Sequence, residues 1–189
     1  METIYNEIYS AHLPYIHIGK IDTPVLVVFS AIPGSGKSAL TKRLAEQYGF
    51  NRFANKDIRH SMKQTRHEAD VAIGDYTLWL LDKLAKPSSR AIVFDRNIDQ
   101  LYMPIMDWAS INRYKLVVVR IEVSYANLQK RLQKREGANA EKGLAVLDFY
   151  KNQHIRVAQD FNADLLLEED YDLDAAAQAV CDIAMSGYI

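Results

Sequence analysis

At 189 residues the chain is long enough for one domain that buries most of its apolar surface, and too short for two without an evident linker. Hydrophobic residues at 49% and charged residues at 25% exclude disorder and low complexity for the bulk of it. Lys+Arg 23 against Asp+Glu 24 leaves a formal charge of -1, which excludes a diffuse positive field able to draw long nucleic acid or an anionic membrane. Any polyanion must therefore be held locally.

The opening METIYNEIYSAHLPYIHIG lacks the basic start and unbroken apolar stretch of a signal peptide. Residues 1–23 are read as a helix or a loose arm ahead of a main domain over 24–189. Pro24 to Phe29 is a continuous, β-branched apolar run, the pattern of a central parallel strand covered on both faces. A helix follows from Ser38 to Tyr48, ended by Gly49, and two more are expected between Asp57 and Lys86. Arg90 to Asp95 and Lys115 to Glu122 are further strands, with a helix from Tyr125 to Arg135 after the second. Leu144 to Asp160 predicts a helix, Ala163 to Glu168 a strand, and Asp174 to Met185 a last helix that Asp172 or Asp174 can cap. Strands alternating with helices of this length imply βαβ units and a doubly wound, mostly parallel α/β sheet. The single Cys181 excludes an internal disulfide and a cysteine metal site, which suits a reducing, cytoplasmic setting. No run approaches the roughly 18 apolar residues of a membrane span.

Immediately after the first strand stands Ala31-Ile-Pro-Gly-Ser-Gly-Lys-Ser38, and a helix begins at once. This is a P-loop, with Ala31 where the usual pattern has glycine. Its spacing follows from its chemistry: glycines at 34 and 36 let backbone N–H groups converge on phosphate oxygens, and the helix aims its positive end at the anion. Pro33, Gly34, Ser35, Gly36, Lys37, Ser38 and Ala39 are thus the expected nucleotide-binding residues. Gly34, Ser35 and Gly36 hold the phosphates, Lys37 reaches the β- and γ-phosphates, and Ser38 offers its hydroxyl to Mg²⁺.

A P-loop names a ligand and leaves the reaction open. A water-activating ATPase needs a strand ending in Asp-Glu, whereas the candidate strand here runs Phe94-Asp95-Arg96-Asn97. A guanine-specific Asn-Lys-x-Asp has only the near miss Asn55-Lys56-Asp57-Ile58, too early in the chain, so ATP is the expected nucleotide. Arg131 and Arg135 lie one helical turn apart, just before a glycine-bounded stretch over 136–143. They are either a solvated basic face or lid arginines that close on a transferring phosphoryl group and exclude water.

The order of P-loop, short strand, Lys56-Asp57-Ile58-Arg59, long helical stretch, Asp95-Arg96-Asn97 and paired arginines resembles the small P-loop kinases of the adenylate-kinase-like superfamily. Polynucleotide 5′-hydroxyl kinases and zeta-toxin-type kinases are the members it resembles, over roughly residues 24 to 168. The resemblance implies a five-stranded sheet in the order 2-3-1-4-5 with a helical lid over about 131–146, and transfer of the γ-phosphoryl of ATP, with Mg²⁺, to a hydroxyl. By the same resemblance Asp57 approaches the acceptor hydroxyl as general base and Arg59 binds an acceptor phosphate or carboxylate. Asp95 and Asn97 contact the acceptor, Asp95 with Ser38 serves the metal, and Arg131 or Arg135 meets the transferring group.

Two of these assignments have rivals in the residues themselves. Asp57 is equally placed to cap the helix from Ile58, and an ungapped pairing puts Lys56 at the base position; an ionised carboxylate accepts a hydroxyl proton where an ammonium cannot. Asp95 is also an ordinary turn residue after a strand. The acceptor is a small metabolite, a nucleotide or a short nucleic-acid 5′ end, long nucleic acid being disfavoured by the charge. A non-transferring ATP-binding protein, whether a slow ATPase or a degenerate kinase with a regulatory role, is the competing class.

Overall fold

The computed structural model describes residues 1–85, 90–137, 144, 147–155 and 162–187. Five strands form one all-parallel sheet in the order β2-β3-β1-β4-β5, the order expected from the sequence: β1 (Val25–Ala31), β2 (Asn51–Ala54), β3 (Ile92–Asn97), β4 (Lys115–Ile121) and β5 (Leu165–Leu167). Every residue of β1 is buried, because a central strand in a parallel sheet has helices on both faces. Its side chains alternate between the two layers. Leu26 and Val28 face a core that includes Ile8, Ile58, Tyr76 and Ile105, and Val25, Val27, Phe29 and Ala31 face Leu40, Leu44, Ala177 and Val180.

The first core is closed by α1 (Glu2–His12), α3 (Asn55–Gln64), α4 (Ile73–Leu84) and α5 (Tyr102–Ile111), the second by α2 (Lys37–Tyr48) and α8 (Leu173–Met185). A third cluster of Ile32, Leu128, Leu132 and Leu147 lies between the P-loop, α6 (Tyr125–Glu136) and a helix over residues 147–155, here α7. The lid expected over 131–146 falls in part, at 138–143 and 145–146, outside the described residues, as does the end of the helix expected to Asp160.

Helix α1 packs on α3 and α4, and the segment after it runs along the edge strand β2. His17 and Arg52 exchange backbone hydrogen bonds of 2.9 and 2.8 Å, which covers an edge that would otherwise offer unpaired N–H and C=O groups. Gly19 is required there: a Cβ on it would lie 1.8 Å from the Gly49 carbonyl oxygen.

Two expectations change in detail, and one left open is decided. Helix α3 begins at Asn55 with no side-chain cap, so Asp57 is not the cap of a helix from Ile58; its carboxylate sits in the first turn, where the helix dipole favours it. Asp172, not Asp174, caps α8, accepting from the Ala175 N–H at 2.7 Å. Helix α5 has no counterpart among the expected elements; its Pro104 falls in the first turn, where a missing N–H costs nothing.

Candidate functional site

The P-loop leaves the carboxyl end of β1, where open α/β sheets place ligands. Ala31, the departure from the usual pattern, is the last residue of that strand and has no positive φ, so its methyl is tolerated. Gly34 and Gly36 have φ of 92° and 98°, a conformation nearly closed to other residues. Gly36 is also crowded, since a Cβ there would meet the Tyr171 hydroxyl at 3.1 Å. Between them Ser35 is buried, its backbone N–H donating to the Ile32 carbonyl at 3.2 Å, which closes the turn. Its hydroxyl has no hydrogen-bond partner among the described residues. Gly36 is the N-cap of α2 and no side chain caps it, so the positive end of that helix faces the cavity above the loop.

That cavity, of about 520 Å³, lies within the size range of small-molecule sites. The whole expected nucleotide segment lines it, Pro33, Gly34, Ser35, Gly36, Lys37, Ser38 and Ala39, together with Arg59, Asp95, Asn97, Arg131 and Arg135. So do Arg96, Gln100 and Tyr150, to which the sequence reading gives no site role, and Lys56, which it weighs only as the rival of Asp57 for the base position. Asp57 does not line it. With α3 starting at Asn55, residues 56 and 59 share a helix face towards the cavity, and 57 is turned about 100° away from 56.

Asp95, at the end of β3, is the one carboxylate among the described lining residues and is buried. Its Oδ1 accepts from Lys37 Nζ at 2.7 Å and Ser38 Oγ at 3.0 Å, and its Oδ2 from Arg52 Nη2 at 2.6 Å. Burial alone would raise the Asp95 carboxyl; the ammonium of Lys37, the guanidinium of Arg52 and the Ser38 hydroxyl outweigh it and hold the group below the ordinary carboxylate value. Arg52 is itself buried and donates through Nε to Thr41 Oγ1 at 3.0 Å, which ties β2 to α2 beneath the P-loop lysine. Sequence reasoning misses Arg52. Its one signal is a lone cation in the short strand Asn-Arg-Phe-Ala.

Asn97 uses its amide to brace the loop: Oδ1 accepts from Ala31 N–H at 3.3 Å and Nδ2 donates to Asp99 at 2.9 Å. The Asp99 carboxylate is fully buried, accepts from Ser30 Oγ at 2.9 Å and lies 3.4 Å from His154 Nδ1, so β1, the exit of β3 and α7 are joined behind the P-loop. On the opposite flank, Arg131 donates to the Gly34 carbonyl at 3.4 Å and to Asp170 at 3.3 Å. The two expected lid arginines thus face the same cavity, one already touching the phosphate loop.

The Ser38 hydroxyl and the Asp95 carboxylate are hard oxygen donors 3.0 Å apart, a pair that suits Mg²⁺. Among the described residues no group of three or more His, Cys, Asp or Glu side chains gathers to hold a metal alone. A magnesium ion that takes most of its ligands from water and nucleotide phosphates needs no such group.

No protein-family model and no curated protein sequence matches the chain. Solved structures do. The APS kinase of Mycobacterium tuberculosis, solved in complex with AMPPNP and APS, is similar at a TM-score of 0.59 and 16% identity over 88% of this chain and 100% of that one. A shikimate kinase from Acinetobacter baumannii in complex with shikimate gives 0.54 and 14% over 88% and 96%. A structure from the PezAT chromosomal toxin-antitoxin system of Streptococcus pneumoniae gives 0.64 and 12% over 100% and 90%. The chain has the fold of the P-loop kinases. Among the described residues no helix is long and apolar enough to cross a membrane.

Proposed function

We propose that the protein is an ATP-dependent phosphotransferase that moves the γ-phosphoryl group to a hydroxyl acceptor. The observation that carries this reading is a cavity with two cationic walls. The sheet order puts the ends of β2 and β3 on one side of the P-loop and β4 with α6 on the other. Lys56, Arg59 and Arg96 line the first side, and Arg131 and Arg135 the second. A nucleotide-binding protein without transfer needs only the loop and one wall; a second wall of cations leaves room for a second substrate. The kinase neighbours, one solved with AMPPNP and APS and another with shikimate, support that arrangement by fold.

The chemistry follows from positioning and charge. The backbone of Gly34, Ser35, Gly36 and the residues after them, with the Lys37 ammonium, holds the β- and γ-phosphates at the end of α2. Arg131 and Arg135 meet the charge that spreads over the transferring oxygens, and their helix screens the site from water. Magnesium, when bound at Ser38 and Asp95 with the phosphates, neutralises charge on the leaving group. The transition state of phosphoryl transfer is loose and asks little of a base, so alignment of the acceptor hydroxyl is the main requirement. Asp95 is the one carboxylate among the described lining residues able to take up the hydroxyl proton, and Lys37, Ser38 and Arg52 on its oxygens make it a weak base, which such a transition state tolerates. Asp57 would need α3 to rotate or shift to do so.

The test follows label from γ-labelled ATP in the presence of pooled sugars, sugar phosphates, nucleotides and 5′-hydroxyl oligonucleotides. Label should reach an organic acceptor, and Lys37→Ala should abolish the transfer with the circular dichroism spectrum unchanged. Label found only in inorganic phosphate, at a rate insensitive to Asp95→Asn, would establish the slow ATPase instead.

A further inference from the structure

Ser30 precedes the last residue of β1 and, by the alternation of that strand, faces the same layer as Leu26 and Val28. It is a wholly buried polar side chain in an otherwise apolar strand. Its hydroxyl donates to Asp99 Oδ1 at 2.9 Å, and Nδ1 of the buried His154 lies 3.2 Å from Ser30 Oγ. The one hydrogen of Ser30 is committed to the carboxylate, so His154 is the donor between the two: its Nδ1 carries the hydrogen and aims it at Ser30 Oγ, with Asp99 Oδ2 3.4 Å away. Asp99 Oδ2 accepts in turn from Asn97 Nδ2 at 2.9 Å, and Asn97 Oδ1 accepts the Ala31 N–H at 3.3 Å. That last bond stands where the ladder between β1 and β3 has shifted register and runs out at Phe29 and Asn97. The chain of donors therefore ends on the amide that opens the P-loop. His154 belongs to α7, whose Tyr150, one turn earlier, lines the cavity and whose Gln153 accepts from Gln100 at 3.1 Å. Ser30, Asp99 and His154 do not themselves line the cavity, so they act on it through what they hold.

We propose that His154 is a positioning residue of the nucleotide cradle: through Ser30, Asp99 and Asn97 its Nδ1–H fixes the Ala31 amide, so that the P-loop is held ready for phosphate only while α7 is seated. This rests on the reading of the loop as a nucleotide cradle and gives a part in it to a helix outside the loop. Asp99 is a carboxylate with no exposed surface, and such a group keeps its place only while its oxygens are filled by donors. His154 fixes the Ser30 hydroxyl that fills Oδ1 and stands beside Oδ2. Without it the carboxylate is free to turn, its hold on Asn97 Nδ2 loosens, and the Asn97 amide no longer presents its oxygen to Ala31. A loop that its ligand has to order binds that ligand more weakly, because the ordering cost moves into the binding step. The relay thereby joins the P-loop and the Tyr150 wall of the cavity into one unit.

Three substitutions separate this role from simple packing. Asparagine places its amide nitrogen where histidine places Nδ1, glutamine places it further out, and leucine fills the space with no donor. In the full-length protein, held well below each variant's Tm, His154→Leu and His154→Gln should weaken Mg-AMPPNP binding at least about fivefold by calorimetry, the worth of one hydrogen bond. His154→Asn should stay within about twofold of wild type. Should His154→Leu not fold, the glutamine and asparagine pair carries the same comparison. Exchange of the Ala31 amide, followed by NMR without nucleotide, should quicken at least about tenfold in His154→Gln while that of Val27, in mid-strand, does not. A long-range proton–nitrogen spectrum of wild type should show the His154 hydrogen on Nδ1. Asn97→Ala and His154→Leu cut one relay, so the double variant should bind AMPPNP within about twofold of the weaker single. AMPPNP affinity that does not distinguish His154→Asn from His154→Gln, additive losses in the double variant, or a ring with its hydrogen on Nε2 alone each overturns the relay. So does a lowered Tm with Ala31 exchange unchanged. Wild-type protein that binds no Mg-AMPPNP, with Ala31 exchange still governed by His154, would instead overturn the nucleotide reading and leave the relay standing.

Discussion

Arg52→Met removes the guanidinium that holds Asp95 Oδ2 at 2.6 Å while keeping much of the length and the apolar stem of the side chain. Unit charges about 4 Å apart at an effective dielectric of 20 interact by about 4 kcal/mol, and breaking a buried pair costs about 3 to 5 kcal/mol. Lys37 remains 2.7 Å from Oδ1, so the lower figure applies. About 3 kcal/mol is about 6 to 12 °C in Tm for a domain of this size. Urea denaturation followed by tryptophan fluorescence reads it directly. The double variant Arg52→Met/Asp95→Asn, which removes the stranded charge, should cost less than the sum of the singles by at least about 1.5 kcal/mol. The acid limb should move as well. Asp95 sits below its ordinary value of 3.8 in the folded protein, so its contribution is present above that value and is lost as pH falls through the folded one. Without Arg52 the folded value rises towards 3.8, so the contribution shrinks and its loss is complete at a higher pH. Nucleotide affinity should fall too, because ATP draws on the lysine that would then be the remaining counter-ion of Asp95. A cost under about 1 kcal/mol for Arg52→Met, or additivity with Asp95→Asn within about 0.5 kcal/mol, refutes the coupling.

Gly36→Ala forces a left-handed φ of 98° on a residue with a Cβ and drives that Cβ to 3.1 Å from the Tyr171 hydroxyl. It should cost about 1 to 2 kcal/mol in a thermal melt and abolish ATP binding, and adding Tyr171→Phe should not restore binding, since the dihedral strain persists. His12 is buried, with its Nε2 unpartnered among the described residues, and desolvation lowers it from 6.5 to about 4. The unfolded chain therefore takes up a proton between those values and the fold does not, so stability that is complete above 6.5 falls by about 3 kcal/mol as pH drops to 4. His12→Leu should flatten that part of the stability profile; an unchanged slope would show that other groups set it. Of Arg131→Gln and Arg135→Gln, at least one should lower kcat on the order of 10³ in the label-transfer assay with AMPPNP affinity little changed, and both remaining within about tenfold of wild type would remove them from the transferring group.

The P-loop is legible in the sequence because everything it needs is local: an apolar strand, two glycines at left-handed positions, a lysine and a hydroxyl opening a helix. The strand order comes from a resemblance in motif order and holds in the structure. What the sequence hides are pairings across the sheet. Arg52 and Asp95 meet because β2 and β3 run in register, with Ala54 beside Asp95, so that Arg52, two residues earlier on the same face of β2, reaches its carboxylate from below. No spacing within either segment announces that contact. Asp57 fails to reach the cavity because the helix starts at Asn55 and not Ile58, which turns 56 and 59 inward and 57 outward. Helix α5 goes unseen because its residues are apolar nearly all round, leaving the 3.6-residue period without contrast.

The local charge makes sense of the cavity's one carboxylate. Six cationic side chains are among the described residues lining a cavity in a chain whose total is -1, and without an anion such a cluster repels itself. Asp95 answers that repulsion at the P-loop by holding the two donors, Lys37 and Ser38, that a bound phosphate and its metal require. The carboxylate therefore stands in for the ligand in the free protein, keeping the lysine extended towards the loop and its rotamer freedom already lost before ATP arrives. With its second oxygen fixed to Arg52, Asp95 would stay ionised and in place if Lys37 turned to a bound phosphate. No such stand-in exists on the side of Arg59 and Arg96, whose described surroundings hold no carboxylate partner. Preorganisation on one wall and unanswered charge on the other leave the cavity electrostatically asymmetric, with the cradle of the P-loop ordered before any ligand enters it.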